Sequence, residues 1–173
     1  MTEGRKKKRG TEFPPVPWIT ADGYFDPGKF PMDTEVLQTL SSDEHEFRAE
    51  CRMLGGMLNF NRPEAGVHLL GLLTYYAGDL KRLEVLVEQL SQFHHKAAAD
   101  TLLAEFRRVK SSNTTRRYLS CVLRSLSYFP GRLVEAGLEE LATDTSFSPK
   151  LRAKFRELNE SIVRAALPVY PQS

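Results

Sequence analysis

From Ser42 onward, apolar residues recur with a period of roughly 3.6, interrupted at short intervals by Gly, Pro, Asn and Asp. Asp43 followed by Glu46 has the form of a capping box, and Phe47, Cys51, Leu54 and Leu58 then fall on one stripe. Asn61-Arg62-Pro63-Glu64 predicts a second start with Pro63 in the first turn. That helix, to about Ala77, is apolar on most sides through Val67, Leu69, Leu70, Leu72, Leu73, Tyr75 and Tyr76, so it is expected to sit between neighbours. Gly78 stops it, and Asp79 can cap a third helix running to about Phe93. A fourth covers His94–Lys110 with Ala98, Leu102, Leu103, Phe106 and Val109 inward, and Ser111-Ser112-Asn113 breaks it. Further helices are predicted over 114–129, from Gly131 or Arg132 to Ala142, and from Pro149 onward, the last with a narrow stripe of Leu151, Phe155, Leu158, Ile162 and Ala166. The expectation is an all-α domain over 44–167, seven helices in antiparallel pairs, with Leu70, Leu73, Leu86, Leu103, Phe106, Leu123, Leu126 and Leu138 in its interior.

The first 43 residues lack this periodicity and hold five of the ten prolines and the single tryptophan. Residues 1–12 are expected to be a disordered basic tail, 13–43 an extended Pro/aromatic segment, and 168–173 a C-terminal tail. Phe13, Trp18, Tyr24, Phe25 and Phe30 are too many aromatics for a free linker, which predicts packing on the helical body; the alternative is that Trp18 anchors a partner.

An internal repeat adds to the periodic pattern. Residues 69–80 align with 122–133 if a one-residue slip is allowed near the start. From Leu73/Leu126 the offset is a steady 53, matching Tyr75 with Tyr128, Gly78 with Gly131 and Leu80 with Leu133. Each copy is an apolar helix, an aromatic pair, a Gly turn and a second helix. A single hairpin of this kind cannot bury its own apolar faces, so hairpins stack. These residues, and residues 127–141 above all, make the chain resemble the HEAT and armadillo class of α-solenoids over about 44–167. The resemblance implies a short right-handed α-solenoid and a scaffold or adaptor that lays a partner on its surface; it implies no particular activity.

Composition narrows the chemistry. The longest apolar stretch, Val67 to Ala77, is about half of the ~20 residues a membrane-spanning helix needs, so no membrane is expected. Arg5–Arg9 has no apolar run behind it, which argues against a secretory signal and matches a nuclear-localisation or polyanion-binding tail. Cys51 and Cys121 read as buried, reduced thiols, placing the protein in the cytoplasm, with the nucleus as the alternative. Of the four histidines only His45 precedes a Glu, no Glu-x-x-His or His-Glu-x-x-His occurs, and His94-His95 is taken to mark a helix start. Gly55-Gly56 lacks the spacing and Lys of a phosphate loop and suits close helix packing instead. No catalytic residue, metal or cofactor is expected.

Net charge is only +2, but residues 106–134 hold seven basic side chains and no acidic one. Arg107, Arg108, Lys110, Arg116, Arg117 and Arg124 are therefore the candidate binding residues, with Trp18 beside them. Arg117 and Arg124 share the outward face of their helix with Ser120. Such a cluster suits an acidic or phosphate-bearing ligand, unless Glu135, Glu139 or Glu140 neutralises it. Arg107-Arg108-Val109-Lys110-Ser111 also has the look of a basophilic kinase site, where a phosphate would cancel part of the charge. The expected function is a non-catalytic adaptor or complex subunit with a protein partner; the alternative is a nucleic-acid-associated protein binding phosphates through the tail and the 107–132 cluster.

Overall fold

The computed structural model describes residues 16–166. The basic run Arg5–Arg9, Phe13 and the C-terminal tail lie outside them. The chain divides after Pro31 into an N-terminal unit and a helical unit.

In the N-terminal unit, a tight turn with Gly23 at φ +83° brings Ile19 and Phe25 into a lone antiparallel bridge. The Asp26 carboxylate accepts from the Gly28 amide and caps a single 3-10 turn, Pro27–Lys29. Trp18 and Phe25 each meet Phe30 edge-on, with centroids 5.7 Å apart. These aromatics therefore pack on one another within the unit.

The helical unit contains α1 (Met32–Gln38), α2 (Glu44–Asn59), α3 (Glu64–Tyr75), α4 (Leu80–Leu90), α5 (Lys96–Arg108), α6 (Arg116–Leu126), α7 (Gly131–Thr143) and α8 (Pro149–Ala166). The seven elements expected after Asp43 are all present, and among the described residues there is no strand. One helix lies where extended chain was expected. α1 is too short to display a period, but it has Asp33 and Glu35 in its first turn and buries Met32.

The helices form two layers. α2, α4 and α6 pack successively in one, and α3, α5 and α7 in the other. Hairpin neighbours join the layers: α2 to α3, α3 to α4, α5 to α6 and α7 to α8. This is the stacking of helix pairs that the repeat implies. The layers meet on Leu54, Leu69, Leu83, Leu86, Leu102, Val122, Leu126, Val134 and Leu138, all fully buried, and Phe155 of α8 closes the end edge-on against Phe106 at 4.8 Å. On α7, a Cβ at Gly137 would lie 2.4 Å from Leu103 Cδ1 of α5, so the Leu103 side chain occupies the space a larger residue there would take.

The matched pairs behave alike at first: Leu73 and Leu126 are buried, while Tyr75 and Tyr128 are 68% and 63% exposed. Beyond the Gly turn the equivalence slips. Leu83 is buried whereas Ala136, 53 positions on, is exposed, and α7 instead buries Val134, Leu138 and Leu141. Two expectations about α3 and α6 change accordingly. Val67 and Tyr75 are exposed because α3 has close neighbours only in α2, α4 and α5, and both Leu70 and Leu123 are half-buried.

Local chemistry sets the boundaries. Asp43 accepts from the His45 and Glu46 amides, and these bonds hold its carboxyl below the usual range. The Asp79 carboxylate accepts from the Lys81 and Arg82 amides, and His95 Nδ1 accepts from the Ala97 amide. α2 ends in a Schellman motif: Asn61 takes φ +58°, its amide donates to Leu58, and the Arg62 amide donates to Met57. Asn61 thus ends one helix before Pro63 opens the next.

Two arginines tie the helices together from within. Arg82, 7% exposed, lies 4.7 Å from the ring centroids of both Phe47 and Tyr76, which meet each other edge-on at 5.3 Å. It donates to Tyr76 Oη and to the Ser42 carbonyl, and Tyr76 Oη in turn donates to the Thr39 carbonyl at 2.7 Å. Deeper in the stack, the nearly inaccessible Glu105 carboxylate receives Arg108 through Nε at 2.7 Å and Nη2 at 2.5 Å, and also the Tyr118 hydroxyl. Arg108 Nη1 donates to the Ala77 carbonyl at 2.8 Å, so this node joins α5, α6 and the end of α3.

Truncating Leu126 to Ala should cost about 2–5 kcal/mol in denaturant unfolding, whereas Tyr128→Ala should cost under about 1 kcal/mol. Burial, followed by the bond to Glu105 and its negative charge, raises the Tyr118 phenol far above its ordinary range. A phenol of raised pKa contributes stability that is complete below its unfolded value and fades as pH climbs past about 10. Tyr118→Phe should therefore cost about 1–3 kcal/mol at neutral pH and flatten the alkaline limb of stability measured against pH.

Candidate functional site

α6 buries Tyr118, Leu119, Cys121, Val122, Ser125 and Leu126, which leaves Arg116, Arg117, Ser120, Arg124 and Ser127 outside. The arginines on this helix point to two different neighbours. Arg117 Nε lies 2.9 Å from Glu84 Oε2, and Arg124 Nη2 lies 2.6 Å from Glu88 Oε1, so the α4–α6 seam is a ladder of two ion pairs. Arg107 pairs with Glu140 of α7 at 2.8 Å, and Arg108 is committed to Glu105 and the Ala77 carbonyl. The acid-free interval in the sequence is therefore matched in space by carboxylates from α4, α5 and α7. Only the Arg107 pair uses one of the acids that the sequence suggested.

Arg116 and Lys110 differ from the others. Neither has a carboxylate within 4 Å among the described residues, and Arg116 donates only to Asn113 Oδ1 at 3.0 Å. Arg116 faces away from α4, towards α8.

The stacking of even-numbered helices loosens at this place. α6 and α8 lack the close approach of α2 to α4 and of α4 to α6, because α8 packs on α7. A cleft remains between them. Its head is a pocket of about 220 Å³ whose polar wall is Arg116, Lys150, Lys154, Ser111, Ser120 and Ser148, over a floor of Leu119, Leu123 and Leu151. The cleft continues along the same two helices past Leu158, Ser127 and Ser161, with Arg124 and Glu157 on its rim. Both helices begin at the head: Arg116 is the first residue of α6, and Pro149, beside Ser148, the first of α8. The positive ends of two helix dipoles thus reinforce three cationic side chains. Lys150 and Lys154 likewise have no carboxylate within ion-pair distance among the described residues.

The two lysines were not singled out from the sequence, although a signal exists. Residues 145–156 contain Lys150, Arg152, Lys154 and Arg156 and no acid, and the i, i+4 spacing sets Lys150 and Lys154 on one face. Trp18 is half-buried and belongs to the N-terminal unit.

Both cysteines are buried, a setting that suppresses thiol reactivity. Burial pushes the Cys51 thiol up to about 12 and raises that of Cys121. His94 packs edge-on against Phe129, and His95 is occupied as a cap. Among the described residues no three His, Cys, Asp or Glu side chains converge as a metal site, and no helix is long and apolar enough to cross a membrane.

The α4–α6 ladder can be checked by exchange. Arg124→Glu and Glu88→Arg should each lower the melting temperature, and the double exchange should recover most of the loss; additive losses would show that the pair does not interact. No protein-family model, curated protein or solved structure matches the chain.

Proposed function

We propose that this protein is a non-catalytic binding module, a HEAT- or armadillo-like stack whose α6–α8 cleft receives an acidic segment of a partner protein. The observation that carries the reading is the sorting of charge. Arg107, Arg108, Arg117 and Arg124 have carboxylate partners inside the fold, whereas Arg116, Lys150 and Lys154 surround a cleft and have none. Unpaired cations above half-buried leucines suit a ligand that brings both acid and apolar side chains, since the leucines supply contact area and the charges fix orientation.

The alternative, nucleic acid bound along 107–132, draws less support. A phosphate backbone needs a continuous track of free cations, but most of that stretch is already neutralised and Glu157 stands further along the cleft.

A direct comparison tests the reading. A short Asp/Leu-rich peptide and a duplex oligonucleotide would be titrated into the full chain at two salt concentrations. The peptide should bind, and Lys150→Glu with Lys154→Glu should abolish binding while leaving the melting temperature within a few degrees, because exposed charges contribute little to stability. Arg117→Gln should leave peptide affinity unchanged. Oligonucleotide binding that falls steeply with salt, with no peptide binding, would replace this reading with the nucleic-acid one.

A further inference from the structure

We infer that the head of the α6–α8 cleft is a phosphate site, so that the partner segment it takes carries a phosphoserine or phosphothreonine. The inference rests on the cleft being the binding surface and adds the identity of the group recognised there. A carboxylate offers a single charge on two oxygens lying in one plane, which a single bidentate guanidinium can match. The pocket offers far more: three cations on two helices, three serine hydroxyls and two helix starts around about 220 Å³. A phosphomonoester matches that excess, with close to two negative charges and three acceptor oxygens presented in different directions. Arg116 and the two lysines approach from opposite walls, Arg116 from α6 and Lys150 and Lys154 from α8, so one tetrahedral group can meet both walls at once. The serines contribute in the same sense: Ser148 lies just before α8, Ser111 in the loop before α6, and Ser120 one turn beyond Arg116. No acidic side chain lines the head; Glu157 enters only further along, where the rest of the peptide would run.

A phosphorylated segment fits better than a free anion because the pocket opens into the cleft. Leu123 lines both the head and its continuation, and the floor runs on to Leu158, so a chain anchored by its phosphate has an apolar track to follow.

The test uses the full chain and a fluorescent Asp/Leu-rich peptide in three forms, with a central phosphoserine, serine or aspartate, and inorganic phosphate as competitor. The phosphoserine form should bind at least about tenfold more tightly than the serine form and several-fold more tightly than the aspartate form. Millimolar phosphate should displace it. Arg116→Gln, Lys150→Gln and Lys154→Gln should each erase the phosphoserine advantage without erasing the weaker binding of the serine form. Ser120→Glu, which adds a negative charge and keeps all three cations, should do the same, with circular dichroism confirming the fold. Equal affinity for the three peptides would overturn the phosphate site and leave the acidic-segment reading standing. Failure of all three to bind would overturn both. Displacement by phosphate with no discrimination between the peptides would show an anion site without a phosphopeptide role, which also sinks the inference.

Discussion

A helix with apolar residues on two faces needs two neighbours, and this requirement organises the helical unit. Each interior helix covers one face with its hairpin partner and the other with the helix two positions along the chain, which yields the layers α2–α4–α6 and α3–α5–α7. Details differ along the stack: Leu103 fills the space beside Gly137, and α7 buries Val134, Leu138 and Leu141 where the repeat would put Ala136 inward. The candidate site follows from the one step that breaks the rule. α8 packs on α7 while its approach to α6 stays open, so Leu123 and Leu158 remain half-buried and line a cleft.

Charge follows the packing. Where helices come close, at α4–α6 and α5–α7, arginines find carboxylates across the seam; where α6 and α8 stand apart, they do not. Because the buried Glu105 needs donors, Arg108 is drawn into the fold and lost to any ligand. Arg116, a short way along the chain, remains available. The difference between a structural and an available arginine lies in what the neighbouring helix presents.

That distinction also marks how far the sequence could be read. The amphipathic periods and the caps at Asp43, Asp79 and His95 are local, involving residues within one turn, and each is visible in the chain. α1 was not, because two turns hold too few apolar positions to show a period. The ion pairs could not be read either: Glu88 and Arg124 stand 36 positions apart, and no local rule couples them. The face shared by Arg117, Ser120 and Arg124 follows from helical spacing, but its neutralisation by α4 requires knowing which helix lies alongside. Lys150 and Lys154 were legible as a spacing; that they lie opposite Arg116 depends on the stacking.

The arginine held over Phe47 and Tyr76 has a consequence for dissecting the molecule. Its guanidinium is satisfied by the Ser42 carbonyl and, through Tyr76, by that of Thr39, backbone atoms that precede the first long helix. A fragment beginning at α2 would retain the cation, the rings and the Asp79 carboxylate 3.6 Å from Arg82 Nε, but lose both backbone acceptors. The smallest autonomous piece of the stack therefore starts before Thr39, and constant-start deletion series or display libraries that trim the chain to its regular repeats would remove a fastening rather than a linker.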